Sequence, residues 1–252
     1  VKQKVALGIG FTAVFSVSLI VHMPASWLYR QVAPLQGVAL EGVSGTVFAG
    51  KAVNVRYQGQ NLGHVDWQMK PWALLLANAK FAVDFGKGSD LGYSGAGIVG
   101  YRFSGPYASD LVATMPAEKV MTFSPMPLPI EIAGQFELRL EEYQWAAPYC
   151  AELAGELIWL DGAVVSPLGN IDAGWADAAL SCEDGAAVVK AEQESDALTS
   201  DWLVSLKANN TYVLDGGFTP GEAFPDMLRS QLRYVGNPDG KGRYSFKFSG
   251  QF

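Results

Sequence analysis

Apolar and polar side chains alternate one for one in stretch after stretch of this chain, and a period of two fits a β-strand with one buried face. Val53, Val55 and Tyr57 alternate with Asn54, Arg56 and Gln58. Phe81, Val83 and Phe85 share one side of a second run. Ile130, Ile132, Phe136, Leu138 and Leu140 mark a third, and Tyr244, Phe246 and Phe248 a last. Glycines cut across the pattern. Those at 42, 45, 50, 59 and 63 read as turns or bulges, because glycine alone takes positive φ without strain. The pattern predicts a mainly β fold: one large, twisted, curved antiparallel sheet with a few short helices.

Strands are expected near 38–48, 52–58, 62–69, 79–85, 130–143, 186–192, 202–208, 211–218 and 242–252, with a glycine-dense, bent strand over 92–105. Pro71-Trp72-Ala-Leu-Leu-Leu and the stretch 219–232 each carry proline where a short helix would open, and both are expected to pack on the sheet as helices. Glu152 to Val165 echoes Glu41 to Val53, and Leu168-Gly-Asn-Ile-Asp echoes Leu62-Gly-His-Val-Asp. Either one small β unit is used twice, or two β segments reuse Gly and Val independently; the sequence leaves both open.

Residues 5–23 contain no Asp, Glu, Lys or Arg. A helix of that length spans about 28 Å at ~1.5 Å per residue, close to one hydrocarbon core. Lys2 and Lys4 precede it, which puts the N-terminus in the cytoplasm and the remainder across the membrane. A cleaved secretory signal is the competing reading, but it calls for a shorter apolar core, and Met23-Pro24-Ala25 is a poor cleavage site. The expected organisation is a cytoplasmic tail (1–4), a single transmembrane anchor (5–23), a tether (24–37) and a periplasmic β domain (38–252). Pro125, Pro127 and Pro129 suggest a boundary between halves 38–124 and 130–252. The location implied is the cell inner membrane.

Of the 252 residues, 49% are aliphatic or aromatic and 17% charged, too apolar a balance for disorder. Two of the 18 basic residues are Lys2 and Lys4, so 16 remain after residue 23 against all 25 acids, a net of −9. A surface of that sign repels phosphate backbones, and nucleic acid is not expected as a partner. The two cysteines, Cys150 and Cys182, both follow the anchor. In an oxidising compartment such a pair bridges, and closing a loop of about 32 residues is worth roughly 3.7 kcal/mol on the chain-entropy model.

No constellation for chemistry emerges. His22 and His64 are the only histidines, no Cys/His cluster has zinc spacing, and no Asp-rich loop resembles a calcium site. A serine nucleophile would need His64 as its base, yet no Gly-x-Ser-x-Gly elbow presents one. Glu141-Glu142 with Asp161 or Asp172 could form a carboxylate pair, but nothing aims them at a shared cleft. No catalytic, metal or cofactor residues are assigned, and an enzyme is not expected.

Two phrases are more specific: Gly45-Thr46-Val-Phe48-Ala-Gly50-Lys-Ala52, and Leu62-Gly63-His-Val-Asp-Trp67-x-x-x-Pro71-Trp72-x-Leu-Leu-Leu76. With the short tail, the anchor and two cysteines in the second half, they resemble the general secretory pathway N family, protein N of the bacterial type II secretion system. The resemblance covers essentially the whole chain; at Phe48 the family often has Trp. It implies an inner-membrane accessory component of the apparatus that exports folded periplasmic proteins through the outer membrane. Other subunits of that apparatus would be its partners, and no catalytic residues come with it. Gly45, Thr46, Phe48, Gly50, Trp67, Pro71 and Trp72 are thereby candidate interaction residues.

Two other readings compete. The domain loosely resembles AsmA-like envelope proteins, whose half-open β groove would make lipid or another hydrophobic ligand the partner. Alternatively, the terminal aromatic alternation suits an outer-membrane barrel, although the anchor and the broken strands argue against it. Tyr93, Tyr101, Phe103 and Trp145 are candidate surface or groove aromatics, with core packing the default for each. Thiol titration of protein isolated without reductant is expected to find Cys150 and Cys182 both blocked; two free thiols would refute the bridge.

Overall fold

The structure is a computed structural model and describes residues 11, 15, 18–19, 21–31, 37–123 and 129–251. Most of 5–23 lies outside the described residues, as does 124–128 of the proline spacer. Among the described residues no helix is long and apolar enough to cross a membrane. The chain enters the described fold through α1 (Ala25–Gln31) and then forms a single fourteen-stranded sheet. Its strands are β1 (Val38–Glu41), β2 (Ser44–Gly45), β3 (Ala49–Tyr57), β4 (Gln60–Met69), β5 (Ala79–Phe85), β6 (Ser94–Arg102) and β7 (Gly105–Pro116). They continue with β8 (Glu131–Gln144), β9 (Glu152–Ser166), β10 (Gly169–Glu183), β11 (Ala186–Glu194), β12 (Leu198–Lys207), β13 (Thr211–Pro220) and β14 (Tyr244–Gln251).

From β3 to β14 every strand pairs antiparallel with its neighbours in sequence, and only the two-residue β2 stands off the path, against β3. A meander of this kind needs only short connections, because each strand begins where the previous one ended. β7 pairs with β8 from Tyr107–Gln144 to Pro116–Gln135, so segments 38–124 and 130–252 contribute to one sheet. Register shifts interrupt the β3–β4, β6–β7, β8–β9 and β9–β10 ladders. Such bulges bend the strands that carry them.

Three expectations need correction. The 38–48 run is not one strand, because Gly42 turns the chain with a φ of 64° between β1 and β2. Pro71–Leu76 is a six-residue 3-10 turn with no buried member, so it projects from the sheet rather than packing on it. It stops there because Ala77 takes the left-handed conformation and donates its N–H back to Leu74, which redirects the chain into β5. Residues 219 and 220 belong to β13, whose Phe218 stacks on Tyr244 of β14 at 5.5 Å; the helix α2 covers only Asp226–Gln231, after Pro225. In the two echoed stretches the leading glycines differ, Gly45 having positive φ in the two-residue β2 and Gly155 lying in mid-strand, while both stretches lead into antiparallel hairpins, β3–β4 and β9–β10.

Cys150 and Cys182 form a disulfide across the open end of the β9–β10 hairpin. Cys150 is buried in the β8–β9 connection, which is also held by Tyr143 Oη donating to the Tyr149 carbonyl at 2.7 Å. The bridge thus ties that connection to β10. Cys150→Ala/Cys182→Ala is expected to lower unfolding stability by about 2–4 kcal/mol in urea denaturation, with the reduced wild type showing the same loss.

Candidate functional site

Direct partners in an antiparallel sheet share a face, so its chemistry can be followed across the ladders. One row runs Ala52, Val65, Phe85, Gly95, Ala113, Leu138, Leu157, Ala178, Ala191, Trp202, Gly216, Phe246. It is apolar at every strand from β3 to β14. The row one residue earlier or later on each strand belongs to the other face: Lys51, Asp66, Asp84, Ala96, Val112, Arg139, Glu156, Ala179, Lys190, Leu203, Asp215, Lys247. Most of its members are charged.

From β8 to β12 the apolar face is hollowed into a trough. Phe136 on β8 and Trp202 on β12 line the same cavity of about 390 Å³, with Trp159, Ile171, Leu198 and Val189. Rings tile the face on either side: Phe136 against Trp159 at 5.6 Å, Phe218 against Phe246 at 5.7 Å, and Phe246 against Trp202 at 6.2 Å. Two buried polar side chains border the cavity. Gln193 donates to the carbonyls of Ala173 (2.9 Å) and Leu198 (3.1 Å), and Ser200 Oγ donates to Gln193 Oε1 at 3.2 Å. Their hydrogen bonds are met within the sheet, which leaves an apolar surface for an occupant.

On the charged face the side chains pair with one another. Arg139 lies 2.6 Å from Glu137 and 3.2 Å from Glu156, and hydrogen bonds to these carboxylates, Glu137 first, push its pKa up. Lys247 reaches Asp215 at 3.1 Å, and Arg243 reaches Asp201 at 2.7 Å. Exposed pairs of this kind add little to stability. Their effect is to keep this face in water. A membrane barrel needs the opposite arrangement, apolar outside and polar within, and among the described residues β1 and β14 each pair on one side only.

Five of the seven candidate interaction residues build a clasp. Gly45 and Gly50 close the turn from β2 into β3, and Thr46 Oγ1 accepts from the Ala49 N–H at 3.1 Å. A Cβ on Gly45, which has a φ of 82°, would meet the Ala49 carbonyl oxygen at 2.5 Å. One on Gly50 would meet the Trp67 ring and the Ser44 oxygen at 2.6 Å. Trp67 Nε1–H donates to the Val47 carbonyl at 3.1 Å, and the Phe48 carbonyl accepts from Met69. The turn in turn holds the N-terminal segment: Val47 N–H donates to the Met23 carbonyl, Thr46 bridges to Pro24, and Tyr29 Oη accepts from Leu40. Pro71 and Trp72 are not part of the clasp. They lie on the projecting 3-10 turn, where Trp72 is 80% exposed.

Of the four aromatics singled out earlier, only Tyr93 is inward-turned, donating its hydroxyl to the Leu62 carbonyl at 2.8 Å; burial pushes its pKa up. Tyr101, Phe103 and Trp145 are exposed, Phe103 at 96%. The structure also assembles a group that spacing alone hid. His64 Nε2 lies 3.4 Å from Asp66 and 3.1 Å from Asp84, the two carboxylates coming from adjacent strands, and Lys87 sits 3.1 Å from Asp84. These atoms are near enough to share a metal ion. The Lys87 ammonium already offsets one of the two carboxylates, and Asp66 and Asp84 border an open recess of about 380 Å³ beside Gln68 and Ala82. Glu141, Asp161 and Asp172 are not brought together with it.

Comparison with known proteins agrees over the whole chain. The family described as type II secretion system (T2SS), protein N, matches residues 36–247. The chain is 34% identical over 250 residues to type II secretion system protein N of Vibrio cholerae serotype O1, covering 99% of each. It is 31% identical over 253 residues to the protein of that name from Aeromonas hydrophila, again covering 99% of each. With the one from Klebsiella pneumoniae it shares 25% over 255 residues, covering 100% of this chain and 97% of the other. No solved structure matches significantly.

The clasp carries a specific expectation. Gly50→Val should displace the Trp67 ring, cost about 1–3 kcal/mol, and release the turn from the N-terminal segment. Amide hydrogen exchange at Thr46 and Val47 is expected to speed up, while β9 and β10 keep their protection. Unchanged exchange at Val47 would mean that the turn does not depend on the Gly50–Trp67 contact.

Proposed function

We propose that this chain, which belongs to the type II secretion system protein N family, is held in the inner membrane by residues 5–23 and presents its sheet to the periplasm as a docking scaffold for other subunits of that system. Family membership makes it an accessory component of type II secretion. One observation carries the docking part of the reading: the apolar face runs unbroken from β3 to β14, and among the described residues no second sheet lies over it; the β13–β14 connection covers its β13 end, where Phe224 stacks on Phe218 at 6.3 Å. A sheet face of that composition is ordinarily buried against another element, and a partner subunit can supply one. The chain in this reading does no chemistry of its own and needs no cofactor.

A second reading, lipid or another hydrophobic ligand in the trough, is favoured by the cavity at Phe136, Trp159 and Trp202, whose neighbouring polar groups are satisfied internally. One experiment separates the two. A photoreactive residue is scanned along 45–72 and 155–182 in native membranes, and the adducts are identified by mass spectrometry. Adducts to secretion-system subunits along the apolar face support the scaffold. Adducts dominated by phospholipid at the trough positions would replace it with the groove.

A further inference from the structure

The strands of a meander alternate direction, so its turns divide between two ends of the sheet. The entry to β3, the β4–β5 turn, the β6–β7 turn and the β8–β9 connection all fall at one end. Three of these carry large apolar side chains at their tips, turned to solvent. Trp72, Leu75 and Leu76 are 80%, 78% and 83% exposed, Phe103 is 96% exposed, and Trp145 is 45% exposed. Tyr101, Trp145, Phe81 and Pro106 also enclose an apolar recess of about 440 Å³ just behind the tips.

Several other turns are polar. At the same end, farther along the sheet, the tips are Glu183-Asp184 and Asn209-Asn210; at the opposite end of the same strands they are Gln58-Gly59 and Lys87-Gly-Ser-Asp90. At this end the apolar tips are grouped on β4–β9; the opposite end exposes Leu168 in the β9–β10 turn and Met227, Tyr234 and Val235 in the β13–β14 connection, away from the clasp. That end is also where the clasp holds the N-terminal segment: the Met23 carbonyl accepts from Val47, in the turn leading into β3, and Pro24 bridges to Thr46. The charge-free stretch 5–23 thus stops within hydrogen-bonding reach of this end of the sheet. Trp27, half exposed, follows in the first turn of α1, and Lys70 is exposed just before Trp72.

We propose that this end of the sheet is a membrane-facing rim: Trp72, Leu75, Leu76, Phe103 and Trp145 insert into the headgroup region of the bilayer that residues 5–23 cross. The occupant is a phospholipid surface, because the rim begins where the spanning segment ends. Its Trp side chains and adjacent lysine are the residue types that lie at headgroup depth and attract anionic lipid. This inference rests on the anchored reading above and adds an orientation to it. The sheet is docked on the membrane by one edge of its turns, not suspended from a free tether.

The test uses the full chain reconstituted in nanodiscs of phosphatidylethanolamine and phosphatidylglycerol, with and without brominated acyl chains, read by tryptophan quenching. Wild-type emission is expected to be quenched, and Trp72→Phe/Trp145→Phe to lose a large part of that quenching, while Trp175→Phe keeps it. Quenching that survives in the double variant, or that disappears instead with Trp159→Phe/Trp202→Phe, would overturn the rim; the latter would put lipid in the trough. Carbonate extraction of native membranes separates the two levels. Chain retained without rim quenching overturns the orientation alone, whereas chain released by carbonate overturns the anchored reading on which it rests.

Discussion

A single-layer sheet has two faces, and only one of them can be polar enough to stand in water while the other buries apolar area. Everything else in this fold answers to that constraint. The registers put an apolar partner at each step across one face from Ala52 to Phe246, so the apolar surface is continuous instead of scattered. A flat sheet would leave it open to solvent. Bulges in four of the ladders bend the strands, and the side chains lean together until most of the row is half-buried. Small residues alternate with rings along the row: Gly95 beside Phe85, and Gly216 between Trp202 and Phe246. A Cβ at Gly95 would meet the Phe85 ring at 2.7 Å, so the glycines are the seats of the rings. Curvature and packing are in this way the same event.

The clasp makes the sheet's position depend on its interior. Trp67 lies on β4, yet its indole N–H fixes the Val47 carbonyl, and Val47 holds Met23. The glycines of the Gly-Thr-x-Phe-x-Gly phrase are therefore there to let a turn approach a ring closely, and through that ring to attach the N-terminal segment to the second long strand. A residue set that resembles an interaction motif in sequence does part of its work inside the chain. The outward-turned Trp72, three residues after β4 ends at Met69, is with Pro71 what remains of that set for contact with something else.

Much of this was legible in the sequence because the period-two pattern is local. Most of the strands fall where alternation put them, and β5 does so to the residue. Two kinds of feature were not legible. Proline marked helix starts at 71 and 219, but Pro220 closes a strand whose Phe218 finds rings on β14; that partner lies beyond the reach of a local pattern. Exposure was equally hidden. Phe103 and Trp145 look like core residues by type, and only the direction of β6 and β8 assigns them to turns at one end of the sheet. The His64, Asp66 and Asp84 group escaped for the same reason: Asp84 comes from the next strand, and no sequence spacing announces a cross-strand neighbour.

Because each strand contacts chiefly its two neighbours in sequence, the sheet is close to one-dimensional, and a local change need not propagate along it. Its apolar row runs across the strands, and twelve strands at a spacing of ~4.8 Å give it a length of about 50 Å. That is longer than one acyl chain needs and longer than the ~30 Å diameter of a small domain. An occupant that covered all of it would have to be extended, as a polypeptide segment or several chains side by side would be. The disulfide lies at the margin of this trough, tying the β8–β9 connection to β10 where the broadest strands, β8 to β10, meet the turn that bears Trp145. The crosslink thus stiffens the place where trough and rim converge.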